Sequence, residues 1–215
     1  MIQLIGPGGA GKTTTGAALA GRLGARFVDL DAEFVSKHGD ISAYLDEHGY
    51  ADYASANVRV FGDLDAGPDR PDVVALSSGF MTYADEVHPA YPVWRRRVAS
   101  SPWTFVLLPS LQFEVCVKEI VRRQRDRPFS RSEEREEQVV RARLPIYLAM
   151  PGRKVATLQP IERVVDELIS ALVSGGLWPA RDLLLAACRV ASWYVTPCRA
   201  AAADRFIAST DCTRG

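Results

Sequence analysis

The chain has 215 residues, 47% of them apolar and 24% charged, with a formal net charge of zero. That length suits one domain with room for an appendage. The balanced charge excludes a nucleic-acid partner held by bulk electrostatics, and no apolar run approaches membrane-spanning length, so neither nucleic acid nor membrane is expected as a partner.

Met1 leads straight into Ile2, Leu4 and Ile5, a short apolar run readable as a buried strand with no secretory leader before it, which sets the expectation of a cytoplasmic protein. Gly6-Pro7-Gly8-Gly9-Ala10-Gly11-Lys12-Thr13 follows and fits the phosphate-binding pattern G-x-x-x-x-G-K-[ST] in full. Residues 14–23 have helical character, with Ala17, Ala18 and Ala20 suited to close packing on a sheet. Residues 25–31 read as a second strand ending in Asp29 and Asp31. A helical stretch runs to His38, Gly39 stops it, and Asp40 is placed to cap the next helix. Ile41, Tyr44, Leu45 and His48 keep helical spacing up to Gly49, and Tyr50, Tyr53, Ala54, Asn57, Val58 and Phe61 continue it in a further segment.

Residues 73–76 read as a third strand, with Ser77-Ser78-Gly79 as the turn behind it. Residues 84–100 are partly helical, and Pro89 and Pro92 predict a kink or split. Residues 104–108 make a fourth strand, 111–122 a helix, and 155–158 a fifth strand. Ser132 opens a helix whose inward face is Val139, Val140, Leu144, Tyr147 and Leu148. Pro160 opens a last helix that Gly175-Gly176 ends. Strands alternating with helices predict a five-stranded parallel sheet covered on both faces, an α/β fold. Its ligands sit beyond the C-terminal strand ends, where the glycine loop, Asp29, Asp31, Ser77 to Gly79 and Pro109 fall. The domain is expected over 1–175, with helices near 32–64 and a lid near 122–132. A C-terminal helical extension is expected over 176–215. The oligomeric expectation is a monomer or weak homodimer. Cys116, Cys188, Cys198 and Cys212 lack metal-site spacing and read as free thiols; His38, His48 and His88 read as surface or packing residues.

The chemistry follows from the residue types. A triphosphate needs many donors at short range, and the backbone of Gly8, Gly9, Ala10 and Gly11, with Lys12, Thr13 and Thr14 at the helix start, supplies them. Lys12 is expected on the β- and γ-phosphates and the Thr13 hydroxyl on Mg²⁺. No N-K-x-D guanine signature is present, which favours ATP. Asp29 and Asp31, two apart on a strand, would share one face. One would hold Mg²⁺ through water and the other would meet a substrate hydroxyl; strand-end turn residues are the plainer alternative. Arg122, Arg123, Arg125, Arg127 and Arg131 read as a flap over the triphosphate, or as a basic solvated loop.

Three further segments are more specific. Phe27-Val28-Asp29-Leu30-Asp31 matches a D-x-D strand, Arg127-Pro128-Phe129 an R-P-L lid motif, and Arg143-x-x-x-Tyr147 an R-x-x-x-Y helix; Gly79 falls at a glycine-rich turn. On these residues the chain, over 1–172, resembles the shikimate kinase family of small P-loop kinases. The resemblance implies that Asp29 serves Mg²⁺ indirectly and that Asp31 binds substrate hydroxyls and acts as base. It implies that Lys12 and Arg127 act on the phosphates, Gly79 offers backbone to the substrate, and Arg143 pairs with a substrate carboxylate. Arg122 or Arg123 would stack on adenine. ATP and Mg²⁺ are the implied cofactors and a small molecule the implied partner.

The acceptor half departs from the pattern. Where the family has G-E-x-x-F-R-x-x-E, the chain reads 49–57 as GYADYASAN: Tyr50 and Asn57 replace glutamates, and Ala54 replaces an arginine that would join Arg143 on a carboxylate. Arg59 sits five residues on, about 140° around a helix. The glycine turn becomes Ser77-Ser78-Gly79. The expectation is a shikimate kinase-like small-molecule kinase. A gluconate- or cyclitol-type kinase and a non-catalytic ATP-binding regulator of the same fold are the alternatives.

Overall fold

The computed structural model describes residues 1–125 and 132–176. In chain order it contains β1 (Ile2–Ile5), α1 (Lys12–Leu23), β2 (Phe27–Asp29), α2 (Leu30–His38), α3 (Ile41–Ala66) and β3 (Val73–Ala75). Two single 3₁₀ turns follow, Phe80–Thr82 and Asp85–Val87. Then come α4 (Tyr91–Ser100), β4 (Thr104–Leu108), α5 (Phe113–Arg125), α6 (Glu133–Ala149), β5 (Arg153–Ala156) and α7 (Ile161–Ser174). The five strands form one parallel sheet in the order β2-β3-β1-β4-β5.

Alternation along the strands divides the core into two layers. Leu4, Phe105 and Leu107 face one side, where Leu19 and Leu23 of α1 meet Val164, Leu168 and Leu172 of α7. Ile5, Val106 and Leu108 face the other, where Phe34, Phe61, Phe80, Tyr91 and Leu144 pack. Helices therefore cover both faces, as parallel sheets require. The central strand β1 lies between β3 and β4. The connections on its two sides lead in opposite directions, which opens the crevice at its C-terminal end.

The strand predicted over 25–31 ends at Asp29, because that side chain accepts hydrogen bonds from the backbone N–H groups of Asp31 and Ala32 and so caps α2. Asp29 and Asp31 consequently do not share a strand face; the first is a helix cap and the second lies in the first helical turn. The two helices expected on either side of Gly49 are one element interrupted there (φ 78°, ψ 172°). The 84–100 stretch is split. Pro92 falls in the first turn of α4, where a missing N–H leaves no intrahelical bond unmade. The fifth strand starts at Arg153, two residues before the apolar signal, since backbone pairing with Phe105 does not need an apolar side chain. Ser132 caps α6 as expected, accepting from the backbone N–H of Arg135. Among the described residues no helix is long and apolar enough to cross a membrane. Arg127, the R-P-F lid motif, Arg131, Cys188, Cys198, Cys212 and the extension from 177 onward lie outside the described residues.

Candidate active site

The glycine loop leaves β1 and enters α1 through Gly11, whose φ of 88° is the left-handed region that a side chain disfavours. No acidic residue occupies the first turn of α1, so the positive end of that helix is left for an anion. Lys12 keeps its ammonium within the loop, donating to the Gly6 carbonyl at 2.8 Å and the Pro7 carbonyl at 3.0 Å.

The loop is tied down from outside. Arg123 Nη1 donates to the Gly9 carbonyl at 3.0 Å and its Nη2 to the Thr157 carbonyl at 3.3 Å. Thr157 Oγ1 donates to the Ala10 carbonyl at 2.8 Å. Glu119 holds Arg123 at 2.7 Å and Arg122 through two bonds at 2.7 and 2.8 Å. Those two guanidiniums, Arg122 foremost, bring the Glu119 carboxyl down to about 2. Of the two arginines expected near the nucleotide, Arg123 lies on the loop and Arg122 on the exposed side of Glu119. Thr157 carried no motif; its only signal is a position just past β5, on the ligand-bearing edge of the sheet.

At the end of β2 the two carboxylates part. Asp29 turns Oδ2 to the Thr13 hydroxyl, which donates to it at 2.5 Å, while its Oδ1 caps α2. Asp31 engages the turn after β3. Its Oδ1 accepts from Ser77 Oγ at 2.5 Å and from the Tyr53 hydroxyl at 3.4 Å. The departure from a shared face thus gives each carboxylate its own partner, one beside the phosphate loop and one beside the turn after β3.

That turn is the third wall. A Cβ at Gly79 would fall 2.8 Å from the Tyr50 hydroxyl and 2.9 Å from the Tyr83 ring, so nothing larger than glycine fits without displacement. The Tyr50 hydroxyl in turn accepts from Arg143 Nη2 at 3.1 Å. Tyr147, one helical turn after Arg143, is fully buried and donates to the Ser78 carbonyl at 2.8 Å, joining the helix that carries Arg143 to the turn that carries Gly79. Burial raises the Tyr53, Tyr83 and Tyr147 hydroxyls well above the ordinary phenol value, so they remain donors through neutral pH. Ala54 is fully buried beneath this wall and Arg59 is exposed, so neither puts a guanidinium beside Arg143.

A groove of about 550 Å³ lies between α5 and α6, lined by Glu114, Lys118, Arg122, Arg125, Glu137 and Arg141. It holds neither the glycine loop nor Asp31. Arg141 is engaged by Glu114 and Glu137, and Arg122 by Glu119, so its walls are largely neutralised by their own pairs.

The comparisons with known proteins give the family and the fold. The family model described as shikimate kinase matches residues 8–173. A shikimate kinase of Paramagnetospirillum magneticum is 33% identical over 176 residues, covering 80% of this chain and 84% of its own length. One from Methylococcus capsulatus is 32% identical over 182 residues, covering 81% and 93%. The solved shikimate kinase from Acinetobacter baumannii in complex with shikimate superposes with a TM-score of 0.64 at 24% identity, over 82% of this chain and 94% of that one, which supports the shared fold. Because the match runs from within the phosphate loop, through the turn at Gly79, to the last helix of the sheet layer, the chain belongs to the shikimate kinase family and is a phosphotransferase with an alcohol group as acceptor.

Proposed function

We propose that the chain transfers the γ-phosphoryl group of ATP to a hydroxyl of a small polyhydroxy acceptor, with the 3-hydroxyl of shikimate as the first candidate. The observation that carries this is the division of labour at the end of β2: Asp29 on Thr13 at 2.5 Å, Asp31 on the Ser77 side. A phosphate loop faces one carboxylate and an acceptor wall faces the other.

Thr13 Oγ1 and Asp29 Oδ2 are hard oxygen donors side by side at the head of α1, and they fit Mg²⁺, which takes one or two protein oxygens and fills its remaining positions with phosphate and water. Mg²⁺ supplies charge neutralisation on the phosphates. Lys12 and the backbone N–H groups of 8–14 bind the phosphate chain and hold the transferring group in line. Asp31 orients the acceptor hydroxyl and receives its proton. Arg143 and the Tyr50 hydroxyl grip an acidic group on the acceptor, with Gly79 leaving room for it. Arg123 sets the loop. Arg127, outside the described residues, is assigned closure over the phosphates from its R-P-F motif. Phosphoryl transfer asks little more of a protein than positioning and charge stabilisation, and these residues supply both.

The grip on the acceptor consists of one guanidinium and one phenol. A second arginine would add a charge-assisted bond of roughly 1.5–3 kcal/mol, tenfold or more in affinity. Ala54 therefore favours a second reading, a different hydroxylated acceptor such as gluconate or a cyclitol. An ATP-coupled assay over shikimate, quinate, gluconate and cyclitols separates them. Acceptor-dependent turnover greatest with shikimate supports the first reading, greatest with quinate, gluconate or a cyclitol the second, and ATP binding without acceptor-dependent turnover contradicts both.

A further inference from the structure

Three side chains behind Asp31 form a line of hydrogen bonds that all run one way. The Tyr83 hydroxyl donates to Asn57 Oδ1 at 3.2 Å, Asn57 Nδ2 donates to Ser77 Oγ at 2.9 Å, and Ser77 Oγ donates to Asp31 Oδ1 at 2.5 Å. Asn57, Ser77 and Tyr83 are 0%, 4% and 4% exposed, and among the described residues no buried side-chain polar atom lacks a partner. Valence sets the direction. Serine has a single hydroxyl proton, and the Asn57 amide nitrogen already occupies an acceptor position on Ser77, so that proton points at Asp31. The Tyr53 hydroxyl adds a second donor to the same oxygen. Among the described residues Asp31 Oδ2 takes no hydrogen bond. The two carboxylate oxygens are thus unequal. A proton on Oδ1 would meet the Ser77 proton head-on, so Oδ1 is reserved as an acceptor.

We infer that Ser77, backed by Asn57 and Tyr83, is a positioning residue for the transfer: it holds Oδ1 of Asp31 and leaves Oδ2 as the atom that takes the acceptor's proton. The inference rests on the reading of Asp31 as the base. In the step, the acceptor O–H proton passes to Oδ2 as the acceptor oxygen bonds to the γ-phosphorus. The bond from that phosphorus to the β,γ-bridging oxygen breaks, and ADP leaves with its electron pair. Buried and satisfied, the line acts by fixing the carboxylate's rotamer, not by touching substrate, and catalytic groups need placement to within about 0.5 Å and 10–20°. The residues come from α3, the turn after β3 and the segment before α4, so three separate parts of the chain converge on one oxygen.

The test is Ser77→Ala beside Ser77→Thr. Loss of the hydroxyl lets the carboxylate turn, and kcat falls on the order of 10- to 100-fold while the KM values for ATP and acceptor stay within about twofold of wild type. Ser77→Thr keeps the hydroxyl and recovers most of kcat. A crystal structure of Ser77→Ala shows the Asp31 carboxylate rotated by more than about 20°. A kcat equal to wild type, a loss carried by KM alone, or an unmoved carboxylate overturns the inference. Tyr83→Phe, which removes the donor at the far end, serves if Ser77→Ala does not fold: kcat drops severalfold at unchanged KM, and an unchanged kcat overturns the inference. Wild-type turnover is measured first. Without acceptor-dependent turnover the reading of Asp31 as base falls and takes this inference with it; turnover indifferent to Ser77→Ala removes the inference alone.

Discussion

Asp29 makes hydrogen bonds of two kinds, and the pair Asp29→Asn and Asp29→Ala separates them. Its Oδ1 caps α2 through the Asp31 and Ala32 N–H groups at 2.9 and 3.4 Å, and its Oδ2 accepts from the Thr13 hydroxyl at 2.5 Å. Asparagine is as good an N-cap as aspartate, so Asp29→Asn changes stability by less than about 0.5 kcal/mol. Asp29→Ala loses the cap, about 1 kcal/mol, and an exposed hydrogen bond of roughly 0.5–1.5 kcal/mol. For a domain of this size each kcal/mol moves Tm by about 2–4 °C, so the alanine variant melts roughly 3–10 °C below wild type and the asparagine variant within about 2 °C of it. Activity follows a different order. Both variants lose the negative charge beside Thr13, and both fall about 10- to 100-fold in kcat/KM. Thermal unfolding followed by circular dichroism and an ATP-coupled assay on the same preparations give the two orders. Wild-type activity in Asp29→Asn, or an alanine variant as stable as the asparagine one, refutes the assignment.

Arg143→Ala raises the acceptor KM about 10- to 150-fold, the equivalent of one charge-assisted bond, and leaves the KM for ATP nearly unchanged; initial-rate kinetics in both substrates check it. Arg123→Ala frees the carbonyls of Gly9 and Thr157 and raises the KM for ATP on the order of tenfold with the acceptor KM unmoved, measured by the same assay. Glu119, brought down to about 2 by Arg122 and Arg123, contributes stability that is complete above the ordinary carboxylate value near 4.5 and is lost as pH falls through about 2. The wild-type Tm therefore declines between pH 5 and pH 2 more steeply than that of Glu119→Gln, as a melting series in that range would record.

What could be read from the residues and what could not divides along range. The glycine loop is a local pattern, and strand, turn and helix lie where it places them. β4 spans 104–108 as its apolar run requires, and α7 follows the 3.6-residue spacing of Val164, Leu168 and Leu172. Asp-Leu-Asp, by contrast, suits an alternating strand as well as a helix cap followed by its first turn. Only the bond from the Asp31 N–H to Asp29 decides, and it moves the two carboxylates apart. Pro92 signalled a break and turned out to mark a start. The sequence brings Asp31 and the turn at Ser77 to one edge of the sheet, but the bond between them is not legible there, because Ser77 is 46 positions away. Tyr50 and Asn57 were visible as departures from a family pattern. Their partners, Arg143 at a separation of 93 residues and Ser77 at 20, emerge only from the folded chain.

Asp31 is the group on which transfer depends, and Asp31→Asn tests its role without disturbing the fold, since the asparagine oxygen can still accept from Ser77 and Tyr53. Isothermal titration with a non-hydrolysable ATP analogue, paired with acceptor-dependent turnover, is the measurement. With Asp31 as the base, nucleotide affinity equals wild type and kcat falls by about 10²- to 10⁴-fold. Turnover at the wild-type rate in Asp31→Asn would contradict that role.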